Sequence, residues 1–360
     1  MTKKTLLLGI TLFSMFFGAG NLIFAPYLGA QSASDAWLAL AGMLTTSVLM
    51  PVLAIVIIAP YQTANNMISR IWKPLGPIFM TLVYLLIGPC IAIPRTASTA
   101  LEMWTWLVQG QWATMLWIVL FFSVALIMAI RPGKLKDILG KVMGPILIVL
   151  ILLVCIPLLF NEPQVVAAGG IYASNPFFTG LNEGYQTMDI LAAFCFGIII
   201  VMNIKKLEIK KEKQTLALSA IIAGTLLASL YILLAFTASQ NSGIFQPLSN
   251  GAQILSLAAS MTYGSFGQIL CGLIFLIACL NVCSGLLACC SEYFHEHFPV
   301  LSYFQWLMLF TIAGAITACT GLDSILSWSG TLLSYICPLS LVLLVFGVFF
   351  SIKDRRFQTK

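Results

Sequence analysis

Glycine and asparagine interrupt the first apolar run of the chain. The stretch Met15-Phe16-Phe17-Gly18-Ala19-Gly20-Asn21, followed by Pro26, lies near the middle of a segment long enough to cross a bilayer. Glycine and asparagine are poor helix formers, and an unpaired N–H or C=O group in lipid costs several kcal/mol. A broken helix survives there only beside a cavity or a polar ligand, so the stretch predicts a binding site. The alternative is a glycine surface for close helix packing.

The sixth apolar run carries a second interruption. It begins near Leu181 with Asn182-Glu183-Gly184-Tyr185-Gln186-Thr187-Met188-Asp189 and continues as an apolar helix. Acidic residues at membrane depth usually face a cavity or a cation, so Asp189 is a candidate ligand. Asp189 could also cap the inner half of this helix, and one side chain can serve both purposes.

The third apolar run contains Arg95, the one basic residue placed within a span. Pro89 and Pro94 precede it and should kink the helix. A charge at that depth is expensive and indicates a functional site by default. Glu102 lies about two turns further along the same helical face. We interpret Arg95 and Glu102 either as a gating charge or as a structural ion pair.

Composition identifies the class of protein that these residues belong to. The chain has 360 residues, of which 60% are hydrophobic and 8% charged, and its mean hydropathy is +1.00. Soluble domains average about 25% charged residues. The apolar runs are mostly about 18–25 residues long, the length of a spanning helix, and alternating ten-residue strands are absent, which excludes a β-barrel. The sequence therefore predicts an all-α polytopic membrane protein.

Lys and Arg residues cluster in every second loop. Seventeen of the 18 fall at the ends of apolar runs, and Arg95 is the exception. Neither residue type occurs in the intervening loops near 29–36, 109–112, 161–181, 239–264 and 320–323. This is the positive-inside pattern, which places both termini in the cytoplasm and requires an even number of spans. It argues against a nucleic-acid surface, and it favours an uncleaved first span over a signal peptide.

The apolar runs predict about ten transmembrane helices, with the breaks in the first and the sixth. The spans are 5–28, 36–59, a long one from near 75, 112–130, 138–160, 181–202, 214–237, 266–291, 302–319 and 323–351. Because five is odd, the second group of five enters from the opposite side, which is the 5+5 inverted repeat of secondary transporters. The predicted units are a first repeat (1–160), an external loop (161–181), a second repeat (182–351) and a cytoplasmic basic tail (352–360).

Cysteine and histidine give little evidence for a metal or an enzyme site. The ten cysteines lie almost wholly within apolar runs and no external loop carries a pair, so we expect no structural disulfide. The loosely spaced residues near the end of the eighth span fit no usual zinc pattern; they are Cys279, Cys283, Cys289, Cys290, His295 and His297. With both histidines in a predicted cytoplasmic loop, there is little from which to build a catalytic centre.

Several stretches together resemble the branched-chain amino acid:cation symporter (LIVCS, BrnQ-type) family. They occur in family order and cover most of the chain: Phe17 to Pro26, Gly88-Pro89 with Pro94 to Ala97, Arg131 to Leu135, Gly184 to Asp189, Asn250 to Ala252, Ala278 to Leu280 and Glu292 to Phe294. The resemblance implies a leucine-transporter-like inverted-repeat core. Two departures stand out. The family usually has about twelve spans, so the last two are expected to be missing. Asn281-Val282 also stands where the family has threonine, and a hydroxyl there resembles a sodium ligand.

The two breaks predict how a zwitterionic amino acid and a cation would bind. The N–H groups of Ala19 and Gly20 would hold the carboxylate, while the Phe16 carbonyl and the 187–189 segment would accept from the ammonium. The predicted substrate residues are Phe16, Phe17, Gly18, Ala19, Gly20, Thr187, Met188 and Asp189, with Phe194 also near the apolar pocket. The predicted cation ligands are Ser14, Phe16, Phe17, Asn21, Thr187, Asp189, Asn281 and Ser284.

The expected function is import of leucine, isoleucine and valine, coupled to a cation, with Na⁺ favoured. A proton-coupled transporter or an exporter of small apolar amino acids is the main alternative, since Asp189 could titrate. A channel would need a polar filter motif, and a membrane enzyme would need a catalytic constellation. We expect a multi-pass protein of the bacterial cytoplasmic membrane. Its partners would be the amino acid and lipid, with no cofactor beyond the coupling ion, no nucleic acid and no protein partner.

Overall fold

The computed structural model describes residues 3–131, 135, 137–196 and 212–358. Every regular element in these ranges is helical. The helices of the first half are α1 (Lys3–Phe16), α2 (Ala19–Ser32), α3 (Ala36–Leu44), α4 (Met50–Ile58), α5 (Ala64–Ile68), α6 (Leu75–Leu85), α7 (Ala92–Glu102), α8 (Gln111–Ala129) and α9 (Gly144–Leu158). Short π-helical turns at Thr45–Leu49, Leu86–Cys90 and Leu139–Met143 join or precede α4, α7 and α9.

The second half follows the same all-helical plan. Its helices are α10 (Gly170–Ser174), α11 (Pro176–Gln186), α12 (189–196), α13 (Glu212–Gln240), α14 (Ser242–Phe245), α15 (Gly251–Tyr263), α16 (Ser265–His297), α17 (Tyr303–Ala318) and α18 (Leu322–Gln358). The predicted inner end of span 6 (197–202) and most of the predicted turn at 131–134 lie outside the described residues.

Among the described residues, seven helical stretches are long and apolar enough to cross a membrane. They are Ala19–Tyr61, Leu75–Glu102, Gln111–Ala129, Leu139–Leu158, Glu212–Gln240, Ser265–His297 and Ser324–Phe350. The first of these joins the outer half of span 1 to span 2. Spans 1 and 6 fall short because each is divided into two shorter helices, and span 9 is the apolar 16-residue helix α17. The predicted ten-span order is therefore confirmed. We call the cytoplasmic and external sides assigned by the positive-inside pattern the inner and outer sides.

Both predicted breaks are present. α1 ends at Phe16 and α2 begins at Ala19, with Gly18 in an extended conformation between them (φ −131°, ψ −158°). α11 ends at Gln186 and helix resumes at Asp189 after Met188, whose φ is +65°. A residue with a side chain rarely adopts such a φ, and it costs roughly 1–2 kcal/mol. Both spans thus leave helical geometry at matching places in the two repeats.

A third departure from helical geometry lies in span 3. Gly88 has non-helical angles (φ −78°, ψ −118°) and Pro89 follows it in the π turn, so the predicted kink is confirmed. Pro94 is the third residue of α7. It is tolerated there because the first-turn N–H groups of a helix have no intrahelical partner. α7 therefore begins as a new helix after the kink, and Arg95 lies in its first turn.

Several boundaries differ from those expected. Span 6 begins at Pro176, five residues before Leu181, and α10 precedes it within the predicted loop. The uncharged 239–264 segment contains α14 and α15. α16 continues to His297, so both histidines lie in its last turn and not in a loop. α18 continues to Gln358, into the predicted tail. Pro176 occupies the first turn of α11, a position that favours proline, while the other ends differ from the prediction because helix boundaries are weakly marked in sequence.

Glycine contacts fix the outer half of span 6 against span 2. A Cβ on Gly42 would lie 2.0 Å from the Phe177 carbonyl oxygen, and one on Gly180 would lie 1.9 Å from that of Ala39. The two backbones therefore touch, which only glycine permits. This reciprocal contact between α3 and α11 fixes how deep in the membrane α11 ends. It thereby positions Thr187 and Met188, which follow that end.

The topology can be tested with a native cysteine. Of the ten cysteines, Cys319 is the one exposed in this structure, directly after α17. With the N-terminus inside, the end of span 9 lies outside. A membrane-impermeant maleimide should therefore label intact cells, and Cys319→Ser should abolish the signal. Labelling that requires permeabilised cells would reverse the assigned orientation.

Candidate substrate and cation site

A buried cavity lies between the two helix breaks. Its volume is about 30 Å³, which is enough for a water molecule. Of the predicted substrate residues, seven line it: Phe16, Gly18, Ala19, Gly20, Thr187, Met188 and Asp189. The structure thus brings residues more than 160 positions apart in the chain to one wall. Phe17, the eighth, turns away and its ring packs near Phe13 and Tyr231.

The start of α2 offers free hydrogen-bond donors to this cavity. The first helical bond runs from the Leu22 N–H to the Gly18 carbonyl (3.2 Å), and the N–H groups of Ala19, Gly20 and Asn21 have no acceptor among the described residues. The N–H of Gly18 donates to Asn21 Oδ1 at 3.0 Å and closes the turn. Free N–H groups with the helix dipole behind them form an anion-binding site.

Asp189 lies at the centre of a buried polar cluster. Its Oδ2 accepts from the Tyr231 hydroxyl (2.8 Å) and from Asn21 Nδ2 (3.2 Å), and Asn21 Nδ2 also contacts the Tyr231 oxygen. All three side chains are at most 2% exposed. The cluster joins span 1, span 6 and span 7. Two donors on one oxygen reduce the desolvation cost of the carboxylate.

Tyr231 is the member of this cluster that sequence reasoning missed. It lies near the middle of α13, directly before the apolar residues 232–236. A tyrosine hydroxyl buried in hydrocarbon needs a partner, since an unpaired one is costly. That requirement was a signal for a polar contact, although the sequence alone could not name Asp189 as the partner.

The predicted cation ligands separate in the structure. Phe16, Asn21, Thr187 and Asp189 line the cavity, whereas Phe17 and a second group, Ser14, Asn281 and Ser284, are absent from its walls. Asn21 Oδ1 accepts from the Gly18 N–H. Thr187 Oγ1 donates to the Gly184 carbonyl at 2.8 Å. In this conformation Asp189 is therefore the anionic group that faces the cavity and could attract a cation.

The second group forms a contact between span 1 and span 8. Asn281 Nδ2 donates to Ser14 Oγ at 2.7 Å, and Ser284 Oγ donates to the Asn281 carbonyl at 3.1 Å. Asn281 Oδ1 is buried and has no partner among the described residues. Buried polar atoms usually have a partner, so this oxygen remains available to a small ligand. Its role as a cation ligand stays a prediction.

Apolar residues complete the cavity. Met15, Ile87, Ala92, Ala192, Phe196 and Leu286 line it, and the rings of Phe16 and Phe196 meet edge to face at 5.2 Å. Phe194, expected near the pocket, packs instead against Phe79. Two residues along a helix correspond to about 200° of rotation, so 194 and 196 face opposite sides of α12. The sequence placed an aromatic residue correctly in the segment but on the wrong face.

Arg95 lines the cavity, but it forms no ion pair with Glu102. Its Nη1 donates to the Gln186 carbonyl at 3.1 Å, and Glu102 accepts from Asn250 Nδ2 at 3.5 Å. The two side chains therefore contact different partners in this conformation. The gating or structural role of Arg95 and Glu102 stays a prediction.

Val282, at the position where the family resemblance led us to expect a hydroxyl, contacts the break in span 1. A Cβ on Gly18 would lie 2.5 Å from Val282 Cγ2, and both residues line the cavity. Span 8 thus packs directly into the break of span 1. This close approach leaves no room for a side chain at position 18.

The Gly18–Val282 contact predicts a compensating pair of variants. Gly18→Ala should overpack the break, and overpacking typically costs 1–3 kcal/mol, so uptake of leucine, the expected substrate, should fall about tenfold. Val282→Ala should restore much of it in the double variant, with membrane levels measured in each case. Equal losses with and without Val282→Ala would exclude this contact as the cause.

Comparison with known proteins agrees with this architecture. The family described as "Branched-chain amino acid transport protein" matches residues 1–358. The chain is 36% identical over 359 residues to the branched-chain amino acid permease BrnQ of Bacillus subtilis, covering 96% of this chain and 82% of that protein. It is 37% identical over 353 residues to the permease BrnQ of Corynebacterium glutamicum, covering 96% and 81%.

Solved structures share the fold at low sequence identity. MhsT in complex with L-phenylalanine superimposes with a TM-score of 0.69 at 14% identity, covering 96% of this chain and 88% of MhsT. Mhp1, a nucleobase-cation-symport-1 family transporter in a closed conformation with bromovinylhydantoin bound, gives 0.65 at 14% identity, covering 94% and 77%. With the family match over nearly its whole length, the chain belongs to the branched-chain amino acid transport protein family and is a multi-pass membrane transporter.

Proposed function

We propose that the protein imports leucine, isoleucine and valine together with a cation, Na⁺, by alternating access. The observation that carries this proposal is the meeting of two helix breaks at one buried cavity, where free N–H groups of α2 face the Asp189 cluster. Discontinuous spans at matching positions of two repeats are where secondary transporters bind substrate and ion. Relatives named as branched-chain amino acid permeases support the substrate class.

Each part of a branched-chain amino acid has a counterpart at the cavity. The N–H groups of Ala19 and Gly20 suit the carboxylate, and the Phe16 carbonyl with Asp189 suits the ammonium. Methionine, phenylalanine and aliphatic residues surround the remaining space. Such a wall discriminates by only about 1–3 kcal/mol per methylene, so leucine, isoleucine and valine should share the site.

The cavity must open for a substrate to enter. At about 30 Å³ it is too small for an amino acid side chain, whereas a second cavity of about 380 Å³ lies on the outer side. Movement of one helical bundle against the other would enlarge the inner space and then expose it to the cytoplasm. The breaks in spans 1, 3 and 6 supply hinges for that movement.

Sodium and a proton compete as the coupling ion. Asp189 gives Na⁺ a hard oxygen ligand close to the break, and Asn281 Oδ1 is an unpaired oxygen at the neighbouring contact. Proton coupling is the second candidate, because the Asp189 carboxylate already shares a hydrogen bond with Tyr231 and could carry a proton between the two sides. We favour Na⁺ because the oxygen-rich break can hold it without breaking the Asp189–Tyr231 contact.

Ion dependence separates these candidates. In right-side-out vesicles, initial uptake of labelled leucine should rise several-fold with an inward Na⁺ gradient at equal pH on both sides. Potassium replacing sodium at the same ionic strength is the control. A strong response to a pH gradient with no response to Na⁺ would replace sodium coupling with proton coupling, and efflux alone would reverse the assigned direction.

Asn21 and Asp189 provide the site-directed test. Asn21→Leu removes the Asn21 contacts to Gly18, Asp189 and Tyr231, so uptake should be lost while membrane insertion persists. Asp189→Asn should abolish the ion dependence of uptake. Asn161→Leu and Asp35→Asn, outside the cavity, are matched controls and should behave as the wild type. Normal uptake in Asn21→Leu would remove Asn21 from the site.

A further inference from the structure

Arg95 is the one described residue that lines both cavities. The outer cavity, of about 380 Å³, lies against the outer half of span 6 and the loop before α15. Its walls include Ile23, Phe24, Glu183, Gln186 and Asn250. The inner cavity between the helix breaks lies beyond the guanidinium. Arg95 therefore lies at the boundary between the two cavities.

The guanidinium is buried with few partners. Arg95 is 4% exposed, and its one direct side-chain hydrogen bond is the Nη1 contact to the Gln186 carbonyl. The carboxylate with which its charge interacts is that of Asp189, across the break. A guanidinium has five N–H donors, and a buried charge with few hydrogen-bond partners is costly. The end of α11 compensates only in part, through its carbonyl and the negative end of its dipole.

The free part of the guanidinium points at the start of α2. Nη2 lies 2.7 Å from the position that a Cβ on Gly20 would take. The guanidinium group is therefore in contact with the backbone of the first turn of α2. The free N–H groups of Ala19 and Gly20 belong to the same turn. A carboxylate is planar and bidentate, and it matches an Arg fork and adjacent N–H groups well.

We propose that Arg95 determines substrate specificity by binding the carboxylate of the amino acid. In this inference, which rests on the proposed function, the carboxylate first meets Arg95 from the outer cavity. Arg95 then exchanges its bond with Gln186 for the substrate and delivers the carboxylate to the N–H groups of α2. Arg95 and Asp189 thus place opposite charges on the two sides of the break, which suits a zwitterion and disfavours an amine that lacks the carboxylate.

A purely structural role for Arg95 predicts something different. As a brace between span 3 and span 6, it would affect folding and all ligands alike. A carboxylate receptor affects only ligands that carry a carboxylate. Leucine and leucinamide differ at that group alone, since both keep the ammonium and the isobutyl side chain, so this pair of ligands separates the two roles.

The experiment measures competition against labelled leucine by both ligands in the full-length protein. Wild type should bind leucine at least about 100-fold more tightly than leucinamide. Arg95→Gln should weaken leucine about 10- to 100-fold, as expected for losing hydrogen bonds to a charged group, and change leucinamide less than threefold. Arg95→Lys keeps the charge but loses the planar, two-pronged guanidinium. Its affinity for leucine should lie between those of the wild type and Arg95→Gln. Arg131→Gln, at an exposed loop position, is the matched control.

Three results would overturn the inference. Equal losses for leucine and leucinamide would make Arg95 a brace, and unchanged leucine affinity in both Arg95→Gln and Arg95→Lys would show that it does not touch substrate. If Arg95→Gln fails to reach the membrane, unchanged affinity in Arg95→Lys alone rejects the fork as a carboxylate ligand. A wild type that binds no branched-chain amino acid would instead reject the proposed function, which distinguishes the two failures.

Discussion

Backbone polar groups that lack helical partners are the constraint on which this structure depends. Spans 1 and 6 each stop and restart within the membrane, which leaves N–H and C=O groups that lipid cannot satisfy. The fold places the two breaks against each other and surrounds them with spans 3, 7 and 8. The unpaired groups then face a small cavity with polar groups on one side and not hydrocarbon. In the proposed function, the same groups would serve as donors and acceptors for a small zwitterion.

Charge is handled by the same principle. Asp189 receives hydrogen bonds from Tyr231 and Asn21, and Arg95 donates to the last carbonyl of α11. Each buried charge is therefore stabilised by neutral groups from other spans and by the opposite charge across the break. Because burial of charge is tolerated only with such partners, movement of any of these helices changes the environment of both charges. In the proposed function, that dependence would couple binding at the cavity to rearrangement of the bundle.

Close packing determines how far the helices can move independently. Gly42 and Gly180 hold the outer half of span 6 against span 2, and Gly18 accepts the side chain of Val282 from span 8. These contacts have no slack, since a single added methyl group would overlap a neighbour. The outer half of span 6 and span 2 therefore behave as one unit, while the kinks near Gly88 and Met188 allow other segments to bend.

Hydropathy, charge alternation and two polar interruptions in the sequence determined the ten spans, the broken helices 1 and 6 and most of the cavity residues. Those features follow from local chemistry. A helix must be long and apolar to span lipid, and an unpaired polar group in lipid costs free energy. Only the tertiary structure decided which side chains meet. It paired Asp189 with Tyr231, separated Arg95 from Glu102, and replaced Phe194 with Phe196 at the cavity. These outcomes depend on helix rotation and on contacts between distant spans, and apolar helices carry too weak a periodic pattern to fix either.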